Sequence, residues 1–199
     1  MELKLGYLHY ESGVHYFVPD GITSELGRFN DPTFRTGICY TADYAYIAAA
    51  ESLGRVYQSN PAKFTIGLPF LEAAQIYTLE TTRSTKTIDL PKLLGILRIT
   101  VDTAMDDDYS MTQNITDWAA NTPSLEYDGI TYLSRHCGGM CTAFWTRKGA
   151  TDPLKSVKNS NVVDYIDDDQ VNFPASWIGK HDDISGLEIV SKTLRYSVK

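Results

Sequence analysis

Short runs rich in apolar residues recur along the chain and predict β-strands, and in the run at 130–134 apolar and polar residues alternate. Turn-forming residues separate the runs, as is typical of the loops in a sheet. The first two runs are joined by a Glu-Ser-Gly turn and therefore predict a hairpin. The predicted strands comprise residues 3–10, 13–19, 37–41, 62–70, 74–80, 130–134 and 141–147.

A helical period begins after Thr41. Thr41 is suited to an N-cap, alanines fill the middle of the segment, and Gly54 is typical of a helix end. The pattern therefore predicts a helix from Thr41 to Gly54. Residues 90–99 and 114–122 predict two further helices, the second of which ends before Pro123.

Glu51 lies on or beside the inward face of the first predicted helix, in line with Tyr44, Ile47 and Ala48. Burying an unpaired carboxylate is costly, so this position requires a partner or a function. Two interpretations stay open. Glu51 is either the edge of a solvated face, where it would pair with Arg55 four residues later, or a functional carboxylate.

The predicted strands outnumber the helices, and residues 160–199 also have a β-rich pattern. A chain of 199 residues with 43% hydrophobic content can bury one sizeable core. It contains no internal repeat and no low-complexity linker. We therefore expect one α+β domain over residues 1–199, which the β-rich C-terminal part completes.

The formal net charge of −7 disfavours nucleic acid as a partner, because nucleic-acid binding depends on neutralising phosphates. No apolar run is long enough to span a membrane, which indicates a protein that does not bind membranes. The first residues contain acid and lack an apolar leader segment, so we expect a cytosolic location, either in the producing cell or, after delivery by another route, in a target cell.

The three cysteines, Cys39, Cys137 and Cys141, do not form a disulfide framework, since their number is odd and no secretory signal precedes them. Zinc binding needs more ligands than the C-x3-C pair and the neighbouring His136 provide, so no metal is expected. Buried, unreactive thiols are the preferred interpretation. A thiol-protease pair of His136 and Cys137 is disfavoured, because adjacent strand residues face opposite ways.

Arg28 lies in the stretch GRFNDP, which is too rich in turn-forming residues to be helical. An arginine on such a loop is either a surface cation or a binding group for an anion. The chain contains no phosphate-binding P-loop and no dinucleotide-binding G-x-G-x-x-G motif, so any nucleotide site would be of another type.

Three stretches taken together, GRFNDP, GICYTADYAYIAAAES and YDGITYLSRH, resemble the RES domain family, which is named after an arginine, a glutamate and a serine. Arg28, Glu51 and Ser134 match those three residues. Tyr40 matches a tyrosine that often precedes the glutamate helix. The resemblance covers about residues 3–150 and rests on the ordered combination rather than on any single motif.

The resemblance implies a fold similar to diphtheria-toxin-type ADP-ribosyltransferases and an enzyme that acts on NAD+. Glu51 would stabilise the positive charge that develops on the ribose when nicotinamide leaves. Arg28 would bind the diphosphate, and Tyr40 would stack on or line the nicotinamide pocket. Ser134 would either hydrogen-bond the ribose or hold its strand against the glutamate helix.

The resemblance further implies a toxin that depletes NAD+ by hydrolysis or phosphorolysis, restrained by an Xre-type antitoxin or an immunity protein. Arg35 and Tyr46 are additional candidates for NAD+ binding because they are close in sequence to the matched residues. An ADP-ribosyltransferase that modifies a protein and a non-catalytic binding module are the alternatives.

Overall fold

The computed structural model describes residues 2–6, 15–167 and 183–199, which form a mixed α+β architecture. The strands are β1 (Glu2–Gly6), β2 (Thr36–Ala42), β3 (Thr65–Ile66), β4 (Gln75–Thr81), β5 (Thr87–Asp89), β6 (Gly129–Leu133), β7 (Met140–Arg147), β8 (Leu154–Asn161), β9 (Ile166–Asp167), β10 (Ile184–Ser185) and β11 (Ser197–Val198). The helices are α1 (Ala45–Ser59), α2 (Leu68–Ala73), α3 (Leu90–Leu97), α4 (Val101–Met105), α5 (Ser110–Asn121) and α6 (Gly186–Glu188), which a π-helical turn (Ile189–Thr193) continues. Short 3₁₀ turns occur at Thr23–Glu25, Pro123–Leu125 and Val162–Asp164.

A seven-stranded sheet in the order β5-β6-β7-β2-β1-β4-β8 dominates the fold. Its neighbouring strands are antiparallel except for the parallel pair β5 and β6. The longest continuous register runs between β2 and β7, from Thr36 opposite Arg147 to Ala42 opposite Cys141. Two small sheets, β9 with β10 and β3 with β11, complete the strand pairing.

Helix α1 packs against β1, β2, β7 and the π-helical turn. Its buried face consists of small and branched apolar side chains, which allow the helix to approach the sheet closely. Ala45, Ile47, Ala49 and Leu53 of this helix belong to the main hydrophobic core. The sheet and α1 thus form a rigid support for the side chains between them.

The α+β class and most of the main elements are confirmed. The predicted strands at 37–41, 74–80, 130–134 and 141–147 correspond to β2, β4, β6 and β7. The helices predicted over 90–99 and 114–122 correspond to α3 and α5. Helix α4 and strand β8 were not predicted.

The boundaries predicted for the first helix are wrong at both ends. Thr41 belongs to β2 and donates its hydroxyl to the Thr142 carbonyl oxygen at 2.9 Å, so it cannot serve as an N-cap. The helix begins at Ala45, after an N-cap residue in extended conformation. It continues through Gly54 to Ser59, so Gly54 lies in the helix interior rather than at its end.

The strand predicted over 62–70 is only partly correct. Residues 65–66 form β3, but Pro69 lies in the first turn of α2, where the fixed φ angle of proline is compatible with a helix. Leu71 of this helix is fully buried. The apolar residues of the stretch therefore belong to one short strand and one short helix.

The predicted hairpin turn lies outside the described residues. In residues 15–19 the predicted strand is reduced to an isolated bridge between Tyr16 and Ile38. The described part of the tail, 160–167 and 183–199, contains the end of β8, the short strands β9, β10 and β11, a 3₁₀ turn, α6 and the π-helical turn, so the strands of the tail are short where they are described. No helix within the three described ranges is long and apolar enough to cross a membrane.

Candidate functional site

A cavity of about 690 Å³ opens between β2, α1, the loop at residues 27–30 and the turn that follows β6. Arg28, Tyr40 and Glu51 line it, although they come from three different elements. A cavity of this volume falls within the range that accommodates small-molecule ligands. Three of the sequence-predicted residues therefore surround one space.

The loop at residues 27–30 is fastened to β2 by a tyrosine hydroxyl. Tyr40 Oη donates to Asn30 Oδ1 at 3.0 Å and accepts a hydrogen bond from the Phe29 amide at 2.9 Å. Asn30 Oδ1 also accepts from the Gly27 amide at 3.0 Å. Burial raises the pKa of Tyr40 above its ordinary value, so the hydroxyl keeps the proton that it donates.

Asp31 closes the same loop with a second set of hydrogen bonds. Its carboxylate accepts from the Thr33 amide and hydroxyl at 2.8 and 2.6 Å, from the Arg35 amide at 3.1 Å and from Asn121 Nδ2 at 3.2 Å. Burial alone would raise the pKa of Asp31, but hydrogen bonds from Thr33 and Asn121 outweigh it and hold the pKa below its ordinary value. The ionised carboxylate is thus a structural anchor.

Arg28 is a buried cation rather than a surface one. Only 9% of the residue is exposed. Its Nη1 donates to Met105 Sδ at 3.3 Å, and its guanidinium lies 5.5 Å from the ring centre of Tyr109. Nε is buried without a partner, and the described residues place no carboxylate within ion-pair distance of this arginine.

A thioether sulfur is a weak acceptor, so Arg28 has unused hydrogen-bonding capacity in a cavity wall. Burial without a matching anion is unfavourable for a guanidinium. The arrangement is chemically suited to binding an anionic group, which is the second of the two interpretations that its sequence position left open.

Glu51 and Ser134 are joined directly. Ser134 Oγ donates to Glu51 Oε1 at 2.6 Å, and only 4% of the serine is exposed. The same hydroxyl accepts from the amides of His136 and Cys137 at 3.1 and 3.3 Å. Because the single hydroxyl proton of Ser134 is donated to Glu51, this serine orients the carboxylate of Glu51.

Helix α1 carries a second contact with the turn after β6. A Cβ atom at Gly54 would lie 2.5 Å from Cγ of His136 and 2.8 Å from its Cε1, so the imidazole rests against the bare helix backbone. Burial lowers the pKa of His136, and the charges of Arg135 and Arg28 lower it further, although Glu51 acts in the opposite direction. The ring is therefore mostly neutral at pH 7.

A model of the RES domain matches residues 9–168. The chain belongs to the RES domain family. The matched range contains all of the RES-domain residues that the sequence motifs single out, from Arg28 to Ser134.

One solved structure is similar to this RES domain: a chain of the crystal structure of the M. tuberculosis MbcT-MbcA toxin-antitoxin complex. The two chains are 21% identical, with a TM-score of 0.58. The match covers 80% of the present chain and 82% of the other. At this identity the likeness concerns the fold. The search of curated proteins finds no match.

Ser134 does not line the cavity but contacts Glu51, which does, and two further candidate residues of this RES domain, Arg35 and Tyr46, also lie outside the lining. Arg35 is exposed, and its Nη2 lies 3.4 Å from Asp117 Oδ1. Tyr46 stacks on Tyr44 with 5.9 Å between the ring centres. Their positions offer no support for the NAD+-binding roles that sequence proximity predicts.

Sequence reasoning missed several residues that line the cavity of the RES domain. Arg135 and His136 follow the matched serine directly, and their charged or titratable side chains were the available signal. Tyr109 and Tyr132 had no such signal, because isolated tyrosines are common in cores.

The thiol and histidine predictions have mixed outcomes. Cys39 and Cys141 are buried and free, as expected, whereas Cys137 is half-buried. His136 and Cys137 lie in a turn, so the strand geometry used against their pairing is wrong. No group of three His, Cys, Asp or Glu side chains in the described ranges is placed to hold a metal ion.

Proposed function

We propose that this chain cleaves the N-glycosidic bond between nicotinamide and ribose in NAD+, with water or phosphate as the acceptor. The observation that carries the proposal is one cavity lined by a carboxylate, which a buried serine orients, and by a buried arginine that has no anionic partner in the part of the chain that the structure describes. Family membership supports the same proposal.

The reaction breaks the bond from C1′ to the pyridinium nitrogen, which takes both bonding electrons and leaves as neutral nicotinamide. The ribose becomes oxocarbenium-like and forms a new bond to an acceptor oxygen, which loses its proton. Glu51 would stabilise the positive charge on the sugar, since Oε1 is held by Ser134 and the other oxygen is available to a ribose hydroxyl.

Arg28 would bind the diphosphate of NAD+. Its buried guanidinium would gain a charge-assisted, bidentate partner in place of the Met105 sulfur. Tyr40 would act indirectly, because its hydroxyl is engaged with Phe29 and Asn30 and holds the loop that presents Arg28. We assign Ser134 the positioning role rather than a direct contact with ribose.

The test is nicotinamide release from NAD+ by the purified protein, with and without phosphate. Glu51→Gln keeps an oxygen that can accept from Ser134 but removes the charge, and we expect release to fall on the order of 10²- to 10³-fold. Glu72→Gln removes an exposed carboxylate from α2 and serves as the matched control. Full activity of Glu51→Gln would refute the mechanism.

The acceptor follows from the same assay. Release that depends on phosphate identifies phosphorolysis, and release in its absence identifies hydrolysis. Transfer of ADP-ribose to a protein of a lysate, without release in buffer alone, would instead identify a protein ADP-ribosyltransferase. Nucleotide binding without turnover in any condition would support the alternative of a non-catalytic binding module.

We further propose that the chain acts as the toxin of a toxin–antitoxin pair. The similar solved chain belongs to a toxin-antitoxin complex, and the net charge of −7 favours a partner with a basic contact surface. Expression in a host cell should lower cellular NAD+ and arrest growth, and Glu51→Gln should do neither. Normal growth with an active enzyme would refute the toxin role.

A further inference from the structure

Arg135 is a second arginine of the cavity wall. It follows Ser134 in the turn after β6, and its side chain is 18% exposed. Its Nη1 donates to the Met105 carbonyl oxygen at 3.3 Å and to Asp107 Oδ1 at 3.3 Å. Asp107 is itself on the surface, with 84% of its side chain exposed.

Arg28 and Arg135 come from different loops but contact the same residue. The sulfur of Met105 accepts from Arg28, and its carbonyl oxygen accepts from Arg135. Both guanidinium groups therefore contact one methionine, through its side chain and its backbone respectively. Segment 105–107, at the end of α4, holds both of them through weak or exposed contacts.

Neither arginine has a strong, buried anionic partner among the described residues. Arg28 has a thioether contact and an unpartnered Nε. The partner of Arg135 is an exposed carboxylate, and ion pairs of that kind contribute little to stability. Two cations on one cavity wall repel each other unless an anion lies between them.

We propose that Arg28 and Arg135 form one diphosphate-binding site, for which segment 105–107 competes. The inference rests on the proposed function, since it names the second group that binds the diphosphate of NAD+. Two arginines match the two charges of a diphosphate, and each can bind a phosphate in a bidentate manner. Arg135 is a binding residue here, whereas the adjacent Ser134 orients Glu51.

This diphosphate-binding site would make the phosphate groups of NAD+ a determinant of substrate specificity. Nicotinamide riboside contains the scissile bond but no phosphate, so it gains nothing from either arginine. We expect NAD+ to be preferred over nicotinamide riboside chiefly through KM. The preference should shrink when Arg135 is removed.

The experiment compares NAD+ with nicotinamide riboside for Arg135→Gln. We expect kcat/KM for NAD+ to fall about 10- to 100-fold, mainly through KM, because a hydrogen bond between charged groups is lost. The value for nicotinamide riboside should change less than about twofold by the same argument. Arg135→Lys should recover part of the NAD+ activity.

Lys158→Gln removes one positive charge from β8, at the sheet edge opposite to β5 and β6, and is the matched control. Equal losses on both substrates would indicate a structural role and overturn the inference. An unchanged KM for NAD+ would overturn it too. Melting temperatures of the variants show whether a loss reflects unfolding.

A second variant tests the competition. Asp107→Asn removes the surface carboxylate that holds Arg135, and we expect the KM for NAD+ to fall about two- to fivefold. The KM for nicotinamide riboside should stay the same. An increased KM for NAD+ would show that Asp107 supports the site rather than competes with it.

Calorimetric binding of ADP-ribose separates this inference from the proposed reaction. If the wild-type protein releases no nicotinamide but binds ADP-ribose, and Arg135→Gln weakens that binding at least about tenfold, the reaction is refuted and the diphosphate site is supported. If ADP-ribose binds equally well to Arg135→Gln, the site is overturned, whatever the enzyme does with NAD+.

Discussion

Replacing Gly54 by alanine tests the contact between α1 and the turn that carries Ser134. In a helix interior this change usually stabilises by roughly 1 kcal/mol, because glycine loses more backbone entropy on folding. Here the added Cβ would lie 2.5 Å from Cγ of His136 and closer still to its Nδ1. Relieving such an overlap typically costs about 1–3 kcal/mol.

The two effects oppose each other, and we expect a net destabilisation of about 0–2 kcal/mol. Gly95 in α3 is the matched control, since a Cβ there meets nothing within 4 Å. Gly95→Ala should stabilise by about 0.5–1 kcal/mol. The difference between the two variants corresponds to roughly 2–12 °C in melting temperature for a chain of this size.

Urea unfolding of both variants, repeated in a His136→Ala background, isolates the contact. Without the imidazole, Gly54→Ala should become as stabilising as Gly95→Ala, giving a coupling free energy of about 1–3 kcal/mol. Nicotinamide release should fall in Gly54→Ala, because the displaced turn carries Ser134. Equal stabilisation by Gly54→Ala and Gly95→Ala in the presence of His136 would refute the reasoning.

Three further predictions concern the site and its support. Ser134→Ala should lower kcat about 10- to 100-fold with little change in KM, because Glu51 loses its orienting hydrogen bond; steady-state kinetics check this, and a pure KM effect would contradict it. The pKa of His136 is lowered from 6.5 in the folded state, so the unfolded chain binds more protons and stability falls as the pH decreases below about 6.5. His136→Gln should flatten this pH dependence in urea unfolding at pH 5–7.5, whereas an equal slope in both proteins would speak against it. Asp31→Ala should destabilise by about 1–3 kcal/mol, since it leaves several partly buried donors without their shared acceptor; thermal melting measures this, and a shift below 2 °C would be inconsistent with it.

The strands and helices that were predicted correctly have strong local periodicity. Residues 141–147 include the apolar run Ala143–Trp145 in a strand that pairs on both sides, and residues 114–122 have the helical period. The C-terminal end of α1 could not be predicted from local periodicity. Gly54 is typical of a helix end locally, but the structure uses it to admit the ring of His136, which is distant in sequence.

The same distinction separates the predicted and the missed parts of the site. Arg28, Tyr40, Glu51 and Ser134 could be predicted because matched motifs mark their positions. The first three line one cavity, and Ser134 contacts Glu51. Arg35 was chosen for its nearness in sequence, but its side chain points to Asp117 on α5. The contribution of α4 to the site through Met105 depends on a tertiary contact that no local pattern encodes.

Strand pairing also determines when this site can form during synthesis. β2, which carries Tyr40, completes its antiparallel pairing only after β7 has been made, and Glu51 meets its serine only after β6. The roughly one hundred residues between β2 and β7 take about 5–20 s to translate. A nascent chain therefore holds Arg28 and Glu51 unassembled for seconds on the ribosome, before the cavity is complete.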